Sequence, residues 1–171
     1  MKRIITLIII IGIFKIVCNS QNYFAFPDSI AIWNIEKTNN YYGDDEIRYG
    51  LYGDTIINSL TYKKVYVLVD TTLFHPQTDY LCGIREVNKQ IYVKLDGINE
   101  QLLYDFNLNV GDSITYNYSG WLPGLQQDTF CRKVISIDTV SMIDGSNRRH
   151  YTLEGYSFIN DEWIEGIGSN V

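Results

Sequence analysis

Residues 85–95 read REVNKQIYVKL, and the way this stretch is read decides the fold. In an extended chain Ile91, Val93 and Leu95 fall on one side and Gln90, Tyr92 and Lys94 on the other. That period of two marks a strand with one buried face. Ahead of it stands Asn88-Lys89, and ahead of that pair a second run, DYLCGIREV (79–87). Asparagine tolerates the left-handed backbone that a tight two-residue turn requires. The stretch therefore predicts two strands joined as a hairpin.

The same pattern recurs in both directions along the chain. In EIRYGLY (46–52), Ile47, Tyr49 and Leu51 oppose Glu46, Arg48 and Gly50; in DSITYNY (112–118), Ile114, Tyr116 and Tyr118 oppose Ser113, Thr115 and Asn117. KKVYVLVD (63–70) is apolar on both faces and belongs inside a sheet. Asn58-Ser59 and Asp144-Gly145 supply further turn signals, and Pro27, Pro76 and Pro123 all fall in predicted loops. The 14 tyrosines, with many Ile, Val and Thr, suit a pleated surface. NEQLLYDF (99–106) alone could form one or two helical turns. YGLYGDTIINSLTY and FNLNVGDSITYNYS echo each other, and Gly-Asp is expected to end one strand in each before Thr/Ser-Ile opens the next. Sequential hairpins imply an all-β fold, an antiparallel meander closed as a sandwich or a barrel.

Residues 1–20 have the layout of a secretory signal peptide. Lys2 and Arg3 precede an apolar run from Ile4 to Phe14, and Cys18 and Ser20 supply small residues at −3 and −1, so that Gln21 becomes the new N-terminus. The run is shorter than the about 20 residues of a spanning helix. Acylation of Cys18 is the competing reading, set back by Lys15 and Val17, where a lipid-attachment site wants a Leu-like and a small residue. A retained anchor comes third. Residues 21–171 then form a single β-rich domain, large enough for its own core. The expected location is periplasmic, cell-surface or extracellular, with no membrane span after cleavage.

The whole chain has 14 basic and 20 acidic residues; Lys2, Arg3 and Lys15 leave with the leader, so 11 basic face 20 acidic and the net charge falls from −6 to −9. With no basic cluster, nucleic acid is excluded as a partner. Cys82 and Cys131 remain as a disulfide candidate suited to export. Closing the loop between them would stabilise the chain by about 4 kcal/mol if unstrained; two buried free thiols are the alternative.

Catalytic patterns are sparse. Two histidines, His75 and His150, and no Cys-x-x-Cys give no basis for a metal site or a cofactor. The acidic YYGDDEIRYG (41–50) lacks the spacing of a calcium loop and reads as a solvated turn. In EWIEG (162–166) the two glutamates stand three positions apart, on opposite faces of a strand, so they cannot form the facing pair of a glycosidase. Trp163 is expected to be buried there, and Glu165 to matter little for stability. Rings that could stack on a sugar are Tyr41, Tyr42 and Trp121.

Taken in order, GDTIINSLTYKKVY, GIREVNKQIYV, LLYDFNLNVGDSI, VISIDTV and WIEGIGS resemble an uncharacterised β-rich domain of secreted Bacteroidetes-type proteins. That domain is often found upstream of the C-terminal sorting domain of type IX secretion. The resemblance spans about residues 25–169, implies a secreted β-rich module and brings no known catalytic residue. Members usually run on after the WIEGIGS phrase, so a chain stopping at Val171 is expected to be either truncated or a short member without a sorting domain. Asp-(Ser/Thr)-apolar tripeptides, which look like the O-glycosylation acceptor of exported proteins in such bacteria, single out Thr71. The expected function is a secreted non-catalytic module for adhesion, surface architecture or binding, with a glycan or cell-surface component as partner. The alternatives are a carbohydrate-binding domain using its loop aromatics, and a carrier of small apolar ligands in a barrel. A hydrolase is the last of the readings.

Overall fold

The structure, a computed structural model, describes residues 22–39, 43–68, 80–118, 128–154 and 160–169. Among them the regular structure is all strand. β1 (Ala31–Asn39), β2 (Gly43–Ile57), β3 (Leu60–Leu68), β4 (Tyr80–Val87), β5 (Gln90–Leu95) and β6 (Gln101–Asp105) make a six-stranded antiparallel sheet in chain order. β7 (Ser113–Tyr118), β8 (Asp128–Ser141), β9 (Asn147–Leu153), β10 (Asp161–Ile164) and β11 (Gly168–Ser169) make a second, five-stranded sheet, also in chain order. The two curled sheets pack on one another, as the alternation and the turn signals imply.

The β2–β3 and β4–β5 hairpins are set by two-residue turns. Asn58 and Ser59 have φ of 52° and 65°, and Asn88 and Lys89 have φ of 52° and 64°. Ile57 pairs with Leu60 and Val87 with Gln90 across them. Left-handed backbone at both central positions matches the twist of the flanking strands. The β8–β9 connection is longer; the Met142 N–H donates to Ser146 O at 2.8 Å, and Gly145 takes φ 80°.

Two expectations need correction. NEQLLYDF is not helical: Gln101–Asp105 is β6, with Ile91 opposite Tyr104 and Tyr92 opposite Leu102. The open edge of β5 offers a ladder of backbone partners that a short helical turn would forgo. The Gly-Asp echo also divides. Gly111-Asp112 precedes β7 as a turn, with the Asp112 N–H donating to Asn109 O at 3.0 Å. Gly53-Asp54 lies inside β2 instead. Leu51 pairs with Val65 and Asp54 with Lys63, so Tyr52 and Gly53 together face Lys64, and Gly53 takes φ 69°. This is a β-bulge, with glycine at the left-handed position.

The core joins both sheets. Leu51, Val65, Ile84, Ile91 and Val93 come from the first, and Ile114, Tyr116, Val134, Tyr151, Leu153 and Trp163 from the second. Phe106, just after β6, is fully buried at their meeting point, its ring 5.6 Å from Tyr151 and 6.4 Å from Trp163. Burying one such side chain is worth about 1.5–3 kcal/mol. β3 is buried on both faces, with Val65 and Tyr66 each enclosed, and β10 buries Trp163 between β9 and β11.

Cys82 and Cys131 do not form the disulfide: both are free. Cys82 sits in β4 between Val65 and Leu95 and points into the core, whereas Cys131 is exposed on β8, opposite Thr115 in the other sheet. One sulfur faces inward and the other outward. Burial pushes the Cys82 thiol up to about 12.

Candidate functional site

Ahead of β1, residues 22–30 form a strap without regular structure. Backbone amides two residues apart in it each end on a carboxylate. The Phe24 N–H donates to Glu165 Oε2 at 3.5 Å, and the Phe26 N–H to Glu86 Oε2 at 2.7 Å. Glu86 belongs to β4 and Glu165 follows β10, so the strap is tied to both sheets. A charge-assisted bond at 2.7 Å is a strong contact, while 3.5 Å lies at the limit of hydrogen bonding.

Side chains extend the hold. Phe26 stacks on Trp33 at 5.6 Å and 19° and meets Tyr104 at 6.4 Å. The Arg148 guanidinium lies 4.8 Å from the Phe24 ring centre, and the Lys89 ammonium 5.0 Å from that of Tyr23. The Trp33 indole N–H donates to Ile167 O at 3.2 Å, joining β1 to the β10–β11 turn. Cation–ring contacts of this kind contribute about 0.5–1 kcal/mol at exposed sites and more when desolvated.

Glycine chemistry places Glu165. The β10–β11 turn uses Gly166 at φ 75° and Gly168 at φ 103°. A Cβ on Gly166 would stand 3.0 Å from Ala25 O and 3.1 Å from Phe24 O, and one on Gly168 would stand 2.8 Å from the Tyr104 ring. The strap and Tyr104 come this close because no side chain intervenes. Glu165 is 1% exposed, the buried charged residue of the described part of the chain. Burial pushes its carboxyl above the usual carboxylate range, partly offset by the Phe24 N–H and by the charges of Arg149 and Lys89. The Tyr23 hydroxyl is buried beside Glu86 without a well-formed hydrogen bond, and burial, followed by that carboxylate, pushes its ionisation upward.

Sequence reasoning put Glu165 in the strand and gave it little weight, and that is corrected here. It begins the turn after Ile164, and its amide partner Phe24 stands 141 positions away. The paired glycines at 166 and 168 were the available signal. Glu162 diverges from it, as the spacing implied, and approaches His150 Nε2 at 3.4 Å, while Asp138 meets His150 Nδ1 at 2.8 Å. Glu100 is held by Arg85 at 2.5 and 2.6 Å and by the Tyr62 hydroxyl at 2.6 Å. The Arg85 guanidinium, more than any other neighbour, draws the Glu100 carboxyl below its usual range.

The strap borders a cleft of about 610 Å³, with Phe26 and Asp28 on one side and Thr61, Lys63, Ile84 and Glu86 on the other. Lys63 is paired there with Asp54 at 2.8 Å. Tyr41, Tyr42, Trp121 and Thr71 lie outside the described residues, as does the leader with Cys18. Among the described residues, no group of three or more His, Cys, Asp or Glu is placed to hold a metal ion, and no helix is long and apolar enough to cross a membrane. Comparison of the chain with protein families, with curated proteins and with solved structures finds no match.

Proposed function

We propose that the chain is an exported, non-catalytic extracellular module that works by binding or by surface architecture. The observation that supports this most is the use of its carboxylates. Glu86 and Glu165 end on backbone amides of the strap, Glu100 on Arg85, and Asp161 on Arg132 at 2.8 Å. Each is occupied in joining parts of the fold; Glu86 shares the cleft with Asp28, but its Oε2 is taken by the Phe26 N–H rather than left open for the acid pair that glycoside hydrolysis uses. The leader pattern of residues 1–20 and the resemblance to a secreted β-rich domain support export.

The test incubates the purified protein with chromogenic glycosides and esters and applies it to a glycan array. Retention without turnover is the expected result. Turnover that is lost in Glu86→Gln or Glu165→Gln would overturn the reading. Intact mass of protein from the native host should correspond to a chain starting at Gln21; a lipid on Cys18 would move the module to a membrane surface.

Carbohydrate binding is the second reading, favoured by the cleft beside the strap. It sets the Phe26 ring near Asp28, Thr61 and Glu86, an apolar wall with hydrogen-bonding groups around it. A hydrogen bond to a charged group is worth about 1.5–3 kcal/mol, so Asp28→Asn should weaken retention of a cleft-bound glycan by about tenfold or more. Unchanged retention would direct attention to Tyr41, Tyr42 and Trp121.

A further inference from the structure

We propose that Glu165 is a proton-operated latch for the strap: the Tyr23–Phe24 end seats firmly when the carboxyl carries a proton and loosens when it is ionised. The geometry carries the argument. A carboxylate has about four lone-pair sites to satisfy, and Glu165, 1% exposed, is approached by two main-chain N–H groups, that of Phe24 at 3.5 Å and that of Arg149, fewer than those sites.

The charged and titratable groups around it are otherwise engaged. From the strap comes Tyr23, an uncharged phenol. From β9 come Tyr151, whose hydroxyl donates to Phe106 O at 2.8 Å, and Arg149, whose guanidinium lies 4.9 Å from the Tyr151 ring centre and donates to Phe106 O at 3.5 Å. From the β4–β5 turn comes Lys89, over the Tyr23 ring, and from β4 comes Glu86, held to Phe26. Arg148 reaches only the Glu165 main-chain oxygen, at 3.4 Å. Among the described residues neither Arg149 nor Lys89 forms an ion pair with Glu165. An ionised carboxyl here is poorly solvated, and lifting the strap would return water to it.

The direction of the linkage follows. Burial raises the Glu165 carboxyl in the seated state, so seating binds a proton. Its contribution is full below the free glutamate value of about 4.3 and is lost as pH rises through the higher seated value. Phe26 is held separately at 2.7 Å, so loosening stops there. The latch therefore acts on residues 22–25, with the Phe26–Trp33 stack as its hinge side.

Amide exchange on the full-length secreted protein, corrected for intrinsic rates, tests this between pH 4 and 8. The Phe24 amide of the wild type should lose protection as pH rises, by up to about tenfold per pH unit, the slope of one proton. Glu165→Gln, which stays neutral, should hold that amide protected at a level independent of pH. Val93 and Tyr151 amides should show no such slope in either protein. A flat wild-type profile, the same slope in Glu165→Gln, or a slope shared with Val93 and Tyr151 overturns the latch. If Glu165→Gln fails to fold, the carbon-detected titration of the Glu165 carboxyl in the wild type decides: a value in the ordinary carboxylate range overturns the proposal and a raised one supports it.

Discussion

The β4–β5 hairpin and the strap meet at Lys89, yet they are held together in opposite ways. In the hairpin the β4–β5 ladder partners are close in sequence, and two left-handed residues fix the register. The strap has partners 60 and 141 positions away, and two carboxylates and a set of rings take the place of a turn. Local backbone chemistry builds each sheet, and long-range burial binds one sheet to the other. The second task has left a carboxylate in the interior, which a hairpin ladder never requires.

Trp163→Ala should separate the two regions most sharply. Trp163 stands 5.3 Å from Tyr104 of the first sheet and 6.4 Å from Tyr151 of the second, ring centre to ring centre. Truncating such a residue costs about 3–5 kcal/mol, seen as a lower denaturant midpoint at unchanged slope. A loss below about 1 kcal/mol would mean that the sheets are not joined there. Gly168→Ala comes next. Its Cβ would stand 2.8 Å from the Tyr104 ring, at φ 103°, and overpacking of this kind costs about 1–3 kcal/mol. Val at 168 should be worse, since a β-branched side chain tolerates that backbone less.

On the hairpin side, Asn88→Val should cost about 1–2 kcal/mol by forcing a branched side chain into left-handed backbone, while Asn88→Gly should be close to neutral. Equal effects of the two would remove the turn as the source of register. The smallest effect concerns the thiols. A reductant should leave the melting temperature unchanged, because no disulfide joins Cys82 and Cys131. Under native conditions a thiol reagent should modify Cys131 only, since Cys82 is buried with its thiol pushed up to about 12. A second modification without unfolding would contradict the packing of β4.

This contrast also sets what could be read from the residues. Asn58-Ser59 and Asn88-Lys89 announced their hairpins because a type I′ turn is written in two adjacent positions. Ile91, Val93 and Ile114 announced their faces because alternation is local. Gly53-Asp54 misled because the same pair ends a strand only where no partner continues beside it, and Lys63 does continue. NEQLLYDF misled because the free edge of β5, not its own composition, decided its state. The cysteine pair misled because chain distance says nothing about which way a side chain points. Glu165 stayed hidden because its burial depends on Phe24 and Gly166 together, and no window of sequence contains both.

The central claim is that residues 22–26 are seated between the two sheets by Glu86 and Glu165. Proton–proton contacts measured by nuclear magnetic resonance at mildly acidic pH test it most directly. The account predicts contacts from the Phe26 ring to the Trp33 indole and to the Tyr104 ring, whose centres lie 5.6 and 6.4 Å from it, together with a strongly shifted Phe26 amide proton. Random-coil shifts across residues 22–26, with no contact from Phe26 to either ring, would contradict it.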